Sequence, residues 1–377
     1  MTDREHSRRP IPSFGNAYVP QAAPPFRGNY YRMIPEARAW QGPFTEEIID
    51  PDLPIVDAHH HLQEDAKGRY LLHESVADMA TGHNFIATVH VQAKSMLRAE
   101  GPAHLKDVGE TEFARGMAAM AATGLYGGAR VCEGIVGCVD FRLEPKLVAE
   151  ALEAHIEAAG GRFRGIRQIA PHVDGELAKS MPLNVAEGLL RDAAFQRGFA
   201  ELAQRNLSFD AWLFHPQLGD VAELADAFPD TTIILNHLGG RLGIGPFATR
   251  FEDEFSNWRA GLADLAKRPN IFVKIGGLGM LYGGFDFHTR AEAPTSELLE
   301  RAWGPFIRLG IDIFGPDRAM MESNFPIDNQ SAAFPVTWNT LKRATSEYSV
   351  EERAQLFHRT AQKAYRLRET IEGVPKL

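Results

Sequence analysis

Histidines spaced two apart carry the first chemical signal of this chain. The apolar run Leu53-Pro54-Ile55-Val56 leads into Asp57-Ala58-His59-His60-His61. Such a run reads as a buried strand. Side chains alternate along a strand, so His59 and His61 point to the same side. Two imidazoles held that way can share one metal ion or grip one substrate. Polar residues recur at the ends of other apolar runs. Arg164 and Arg167 flank Gly165-Ile166, and Asp210 and His215 bracket Ala211-Trp212-Leu213-Phe214. Asn236-His237 follows Ile233-Ile234-Leu235, and Lys274 sits within Ile271-Phe272-Val273-Lys274-Ile275. The stretch Met321-Glu322-Ser323-Asn324-Phe325-Pro326 closes the set, with Asp328 just beyond it.

Each residue type suggests a task. The planar fork of Arg167 suits a substrate carboxylate. Lys274 inside an apolar strand is costly unless paired; it either stabilises an oxyanion or pairs with Glu322. Glu322 and Asn324 alternate onto one side of their strand. Glu322 lies a layer deeper, where burial raises a carboxyl pKa. Asn324 does not titrate and cannot act as a base, which leaves it a substrate contact. Asp328 or Glu322 is then the carboxylate that activates water. His172, after Ile169-Ala170-Pro171, is within reach of a substrate, and His90 and Gln92 share one side of their strand. Glycines in the segment 276–285 permit a mobile lid. Tyr282 and Phe285 there, with Trp212 and Phe325, offer an apolar wall for an aromatic or cyclic substrate.

The elements that must position these residues alternate in type. Apolar runs fall at 55–59, 85–92, 134–141, 163–169, 207–214, 231–238, 271–275 and 319–325, with helical patterns between them and a helical pair after them. Eight strands joined by crossovers imply a parallel α/β sheet. The span favours a distorted (β/α)8 TIM barrel over residues 51–377, with an open doubly wound sheet as the alternative. Residues 1–50 carry Pro10, Pro12, Pro20, Pro24, Pro25, Pro35 and Pro43 among aromatics. That density forbids long helices, so an extended N-terminal arm is expected, packed on the barrel or on a second subunit of a homodimer. A net charge of -9 without a basic stripe argues against a nucleic-acid partner. Cys132 and Cys138 are too few for a disulfide scaffold. No apolar run reaches membrane-spanning length, and the first residues lack a signal-peptide core. A cytoplasmic protein with a small-molecule substrate is expected.

The motifs together resemble the amidohydrolase superfamily, in its branch of lactonase-like and decarboxylase-like "amidohydrolase 2" proteins. The resemblance rests on Asp57-Ala58-His59-His60-His61, Gly165-Ile166-Arg167, Asn236-His237-Leu238-Gly239, Phe314-Gly315-Pro316-Asp317-Arg318 and Glu322-Ser323-Asn324-Phe325-Pro326. It implies hydrolysis at a carbonyl, or decarboxylation. It also implies that His59 and His61 are metal-ligand positions, with His215 or His237 as further ligands. The chain departs from the family pattern at Asn324, where an aspartate is expected, and strand four has Arg167 and Gln168 where a bridging lysine would sit. A two-metal site is therefore not expected. Two readings stay open: a single Zn or Mn ion, or a metal-free centre in which the histidines and Lys274 polarise the carbonyl. The expected activity is opening of a lactone or similar cyclic ester of a carboxylated small molecule. Amide hydrolysis or nonoxidative decarboxylation on the same site is the first alternative, and a catalytically inactive binding barrel is the second.

Overall fold

The computed structural model describes residues 31–181 and 183–368. Eight strands form one parallel sheet in the order β1, β4, β5, β6, β7, β8, β9, β10. They are β1 (Pro54–His60), β4 (Asn84–Val91), β5 (Arg130–Gly137), β6 (Phe163–Ile166), β7 (Ser208–Ala211), β8 (Ile233–Leu235), β9 (Ile271–Ile275) and β10 (Ala319–Met321). The order follows the sequence, as crossover connections in a barrel require. The ring closes beyond β10, where His61 N donates to Phe325 O and Asn324 N to His59 O, both within 2.9 Å. A separate antiparallel hairpin, β2 (Gln63–Asp65) with β3 (Gly68–Tyr70), was not foreseen from the sequence.

The strands are buried on both faces, so they read as nearly continuous apolar runs. In β9, Ile271, Val273 and Ile275 join the large core packed under the helices, with Leu218, Trp258, Ile307 and Ile311. Phe272 belongs instead to a second cluster with Val56, Ile234, Met320 and Tyr365. The alternation places Lys274 on the same side as Phe272. Helix ends follow local chemistry. Asp192 accepts from Ala194 N and Phe195 N at the start of Ala193–Phe199, Thr295 accepts from Leu298 N before Ser296–Phe314, and Pro145 opens Pro145–Ala159, which stops at left-handed Gly160.

Residues 34–41 correct the expectation of an extended arm. Ile34–Gln41 is helical, because Pro35 falls in its first turn, where a missing N–H costs nothing. This segment packs on the barrel: Tyr31 N and Arg32 N donate to Gln330 Oε1, and Arg38 pairs with Asp78 at 2.9 Å. The prolines before residue 31 lie outside the described residues. Among the described residues no helix is long and apolar enough to cross a membrane.

Candidate active site

Strand ends bring His59, His61, Arg167, His237, Lys274 and Glu322 together, all buried. His59 Nε2 and His61 Nε2 lie 3.2 Å apart. His61 Nδ1 donates to Val91 O at 2.8 Å, so its Nε2 carries the lone pair. Arg167 NH1 stands 3.3 Å from His59 Nε2, and its NH2 donates to Gln92 O. On the other edge of the ring, Lys274 Nζ is 3.0 Å from His59 Nδ1, and Glu322 Oε2 is 3.2 Å from the same nitrogen. Glu322 Oε1 takes His237 Nδ1 at 2.7 Å and His237 N at 3.1 Å.

A second layer holds the first. Lys274 Nζ donates to Asp210 Oδ1 at 2.6 Å. The same oxygen accepts from Tyr365 OH at 2.7 Å and Asn236 Nδ2 at 2.9 Å. Asp57 accepts from Ser323 N, Ser323 Oγ and His59 N, tying β1 to the segment after β10. Sequence reasoning gave Asp57 and Tyr365 no place in the site. Asp57 stood within the quoted His motif, but Tyr365 comes from the C-terminal helix and carried no local signal.

Charge at this centre follows burial. Desolvation, aided by the Lys274 cation, holds His59 well below its usual pKa. Desolvation and the Arg167 cation do the same for His61 and His237. All three imidazoles are therefore neutral at neutral pH. Burial pushes the Glu322 carboxyl up to about 8, against the pull of Lys274. Two buried cations, Lys274 and Arg167, face two buried acids, Asp210 and Glu322.

Among the described residues, one group of three could hold a metal ion: His59, His237 and Glu322, with ligand atoms all within 4.8 Å of one another. The donors fit. Two neutral imidazoles and a carboxylate are a zinc-type set, and Glu322 Oε2 accepts no hydrogen bond although it is buried. His61 stands beside this group rather than in it.

Other expected site residues sit elsewhere. His215 is turned away from the cluster: its Nδ1 accepts from Leu242 N at 3.2 Å and its Nε2 meets Glu254 at 3.1 Å. The carboxylate of a helix that sequence order does not reveal holds the ring, so the expected role as a ligand is not met. His172 is likewise occupied, by Val185 O at 2.7 Å and by Asp174 at 3.2 Å. Asp328 has both oxygens engaged, one with Asn324 Nδ2 at 2.7 Å and one with Gly279 N at 2.8 Å. Asn324 itself sits at φ 54°, which ends the strand alternation beyond Glu322. His90 Nε2 faces Glu110 at 3.3 Å.

Trp212 and Tyr282 come together with Phe214; the Phe214 and Tyr282 rings are 5.3 Å apart. Phe325 does not join this wall. It packs on Phe334 at 5.0 Å. A cavity of about 10 Å³, the room of roughly one water, lies against His237, Tyr282, Phe214 and Arg241. The loops above it are zipped backbone to backbone. Gly243 N donates to Tyr282 O at 2.8 Å, and a Cβ on Gly243 would fall 2.1 Å from Gly283 O.

Comparison with known proteins shows the family and the fold. The amidohydrolase family model matches residues 56–367, and the chain belongs to that family. It is 37% identical over 299 residues to the uncharacterized protein y4mH of Sinorhizobium fredii, covering 79% of this chain and 86% of that protein. It is 28% identical over 241 residues to an L-fucono-1,5-lactonase of Burkholderia multivorans, covering 63% of this chain and 73% of that one. Its fold is similar to a crystal structure of an amidohydrolase from Burkholderia multivorans with bound zinc: the TM-score is 0.61 at 24% identity, over 83% of this chain and 99% of that chain.

Proposed function

We propose that this amidohydrolase-family barrel opens a lactone, or a similar cyclic ester of a carboxylated small molecule, by addition of water to a polarised carbonyl. The buried Glu322–His237 pair carries the reading. The Glu322 carboxyl, which ionises around the pKa of about 8 that burial gives it, accepts in that form from His237 Nδ1 at 2.7 Å, which fixes the tautomer and leaves the lone pair on Nε2. His237 lines the cavity. Its Nε2 takes a proton from water as the oxygen adds to the carbonyl, and returns that proton to the ring oxygen as the C–O bond breaks. Glu322 stabilises the imidazolium between these steps. Lys274 acts through His59, to which it is 3.0 Å distant, and with Arg167 it supplies a positive field where the carbonyl oxygen gains charge.

His59, His237 and Glu322 also fit a single zinc- or manganese-type ion, which would take up the His237 lone pair and is therefore the alternative to His237 as base. When bound, it would polarise the substrate carbonyl. The zinc in the Burkholderia structural neighbour supports that fit, and the lactonase relative supports the substrate class. Asp328, expected from the sequence as a base, has both oxygens occupied and is assigned here to holding the Gly279 loop. Trp212 and Tyr282 are assigned to the apolar wall that meets the substrate ring.

A test is continuous proton release from a panel of five- and six-membered sugar lactones, run beside CO₂ release from hydroxylated aromatic acids. The hydrolase reading expects one proton per ring opened and no CO₂. CO₂ release without net uptake of water would replace it with decarboxylation.

A further inference from the structure

Arg241 is a buried cation that no carboxylate among the described residues balances. It follows His237 by four residues, on the turn that leaves β8, and lines the same cavity as His237. Its NH2 donates to Gly283 O at 2.6 Å, and its NH1 makes only a long contact of 3.4 Å to Leu242 O. Its Nε is buried with no partner. A guanidinium has five N–H donors, so most of this one is unused. Three phenyl rings surround it, with Phe306 4.7 Å, Phe285 5.3 Å and Phe251 5.4 Å from its carbon. Cation–π contacts of this kind soften the cost of burial but satisfy no N–H. Glu254, which holds His215, is also taken up by Arg250 at 3.0 Å.

The contrast with Arg167 is informative. Arg167 is buried too, but it stands in the field of Asp210, Glu110 and Glu322. For Arg241 burial alone acts, and it depresses the guanidinium to about 10. A buried charge without a counter-charge is costly unless something pairs with it. The described residues supply a rigid mount but no anion. Gly240, at φ 58°, lets the turn press against Leu213 O, where a Cβ would come within 2.1 Å.

We propose that Arg241 is the anion subsite of this centre, and that it takes a carboxylate carried by the substrate while His237 addresses the ester carbonyl. The proposal rests on the hydrolase reading and narrows it to carboxylated cyclic esters. It moves the carboxylate anchor from Arg167, where sequence suggested it, to a residue whose charge is otherwise unmatched. Since the cavity has room for about one water, the paired loops at Gly243 and Gly283 must part for the ring to enter.

The test uses a probe that cannot be hydrolysed. Tetrahydropyran-2-carboxylate and its neutral carboxamide are titrated calorimetrically into wild type, Arg241→Lys and Arg241→Gln. Wild type should bind the carboxylate on the order of 100-fold more tightly than the amide, as a desolvated charge pair does. Arg241→Gln should lose that preference, and Arg241→Lys should keep part of it. Equal binding of the two probes by wild type, or an undiminished preference in Arg241→Gln, overturns the proposal. Should Arg241→Gln fail to fold, a crystal structure of wild type with the carboxylate decides: the carboxylate on the Arg241 guanidinium upholds it, and the carboxylate elsewhere overturns it. The hydrolase reading is judged separately. Proton release from lactones by the wild-type protein keeps that reading whatever the binding result, and CO₂ release in its place overturns it.

Discussion

Removing either half of the Lys274–Asp210 pair should be costly, because both side chains are wholly buried and 2.6 Å apart. Asp210 Oδ1 gathers three donors, from Lys274, Tyr365 and Asn236. In Asp210→Asn the geometry survives but the charge is lost, leaving the Lys274 ammonium inside the barrel. Breaking a buried pair from one side costs about 3–5 kcal/mol. At ~2.1 cal/mol/K of unfolding entropy per residue, spread over 377 residues, that is a fall in Tm of roughly 4–6 °C. Lys274→Met should cost a similar amount. The double variant Asp210→Asn/Lys274→Met removes both charges and should be less destabilised than the sum of the singles by about 2 kcal/mol or more. Tyr365→Phe deletes one hydrogen bond to the carboxylate and should cost about 1.5–3 kcal/mol. Thermal unfolding by circular dichroism reads all four. Single variants within about 1 kcal/mol of wild type, or strict additivity in the double, would refute the claim that this pair is a coupled support beneath His59.

Three further outcomes follow from the same geometry. His215→Asn should leave both turnover and metal content of the purified protein unchanged while lowering stability, since the ring is engaged with Glu254 and Leu242 N; loss of bound metal would restore His215 as a ligand. Asp328→Asn sets an amide against Gly279 N–H or Asn324 Nδ2 and should lower kcat less than a change at Glu322; abolished turnover in a folded protein would return the base to Asp328. His155 is held in the core, with its pKa depressed from 6.5 to about 4, chiefly by burial. The unfolded chain therefore binds more protons between those values, and stability is full above about pH 6.5 and lost as pH falls toward 4, by about 3 kcal/mol from this group. Urea midpoints across that range should show a shallower decline in His155→Gln, and an unchanged slope would contradict the assignment.

The barrel was legible because its strands are buried on both sides and read as Ile/Val-rich runs, and because turns such as Gly315-Pro316-Asp317 stop helices where a strand must follow. The pairing of His59 with His61 was legible from a spacing of two. Partners supplied from far along the chain were not. The family resemblance implied His215 as a further ligand, but Glu254, 39 residues later, claims it. Lys274 was expected either to stabilise an oxyanion or to pair with Glu322; its hydrogen-bonded partner is Asp210, which Tyr365 reaches from 155 residues away. Arg241 sat unnoticed after Gly239-Gly240, since nothing local shows that a surface-type residue there will be enclosed by Phe251, Phe285 and Phe306. Helix 34–41 was hidden by proline density, because a proline in a first turn and a proline in an extended arm look alike in sequence.

The central claim is that Glu322 and His237 act as one unit in opening a cyclic ester. The most direct measurement is kcat for wild type and Glu322→Gln by proton release on the best lactone of the panel, with folding of the variant checked by circular dichroism. The amide cannot hold the imidazolium, so kcat should fall ~10²–10⁴-fold while the protein stays folded. A folded Glu322→Gln protein that turns over like wild type would contradict the account.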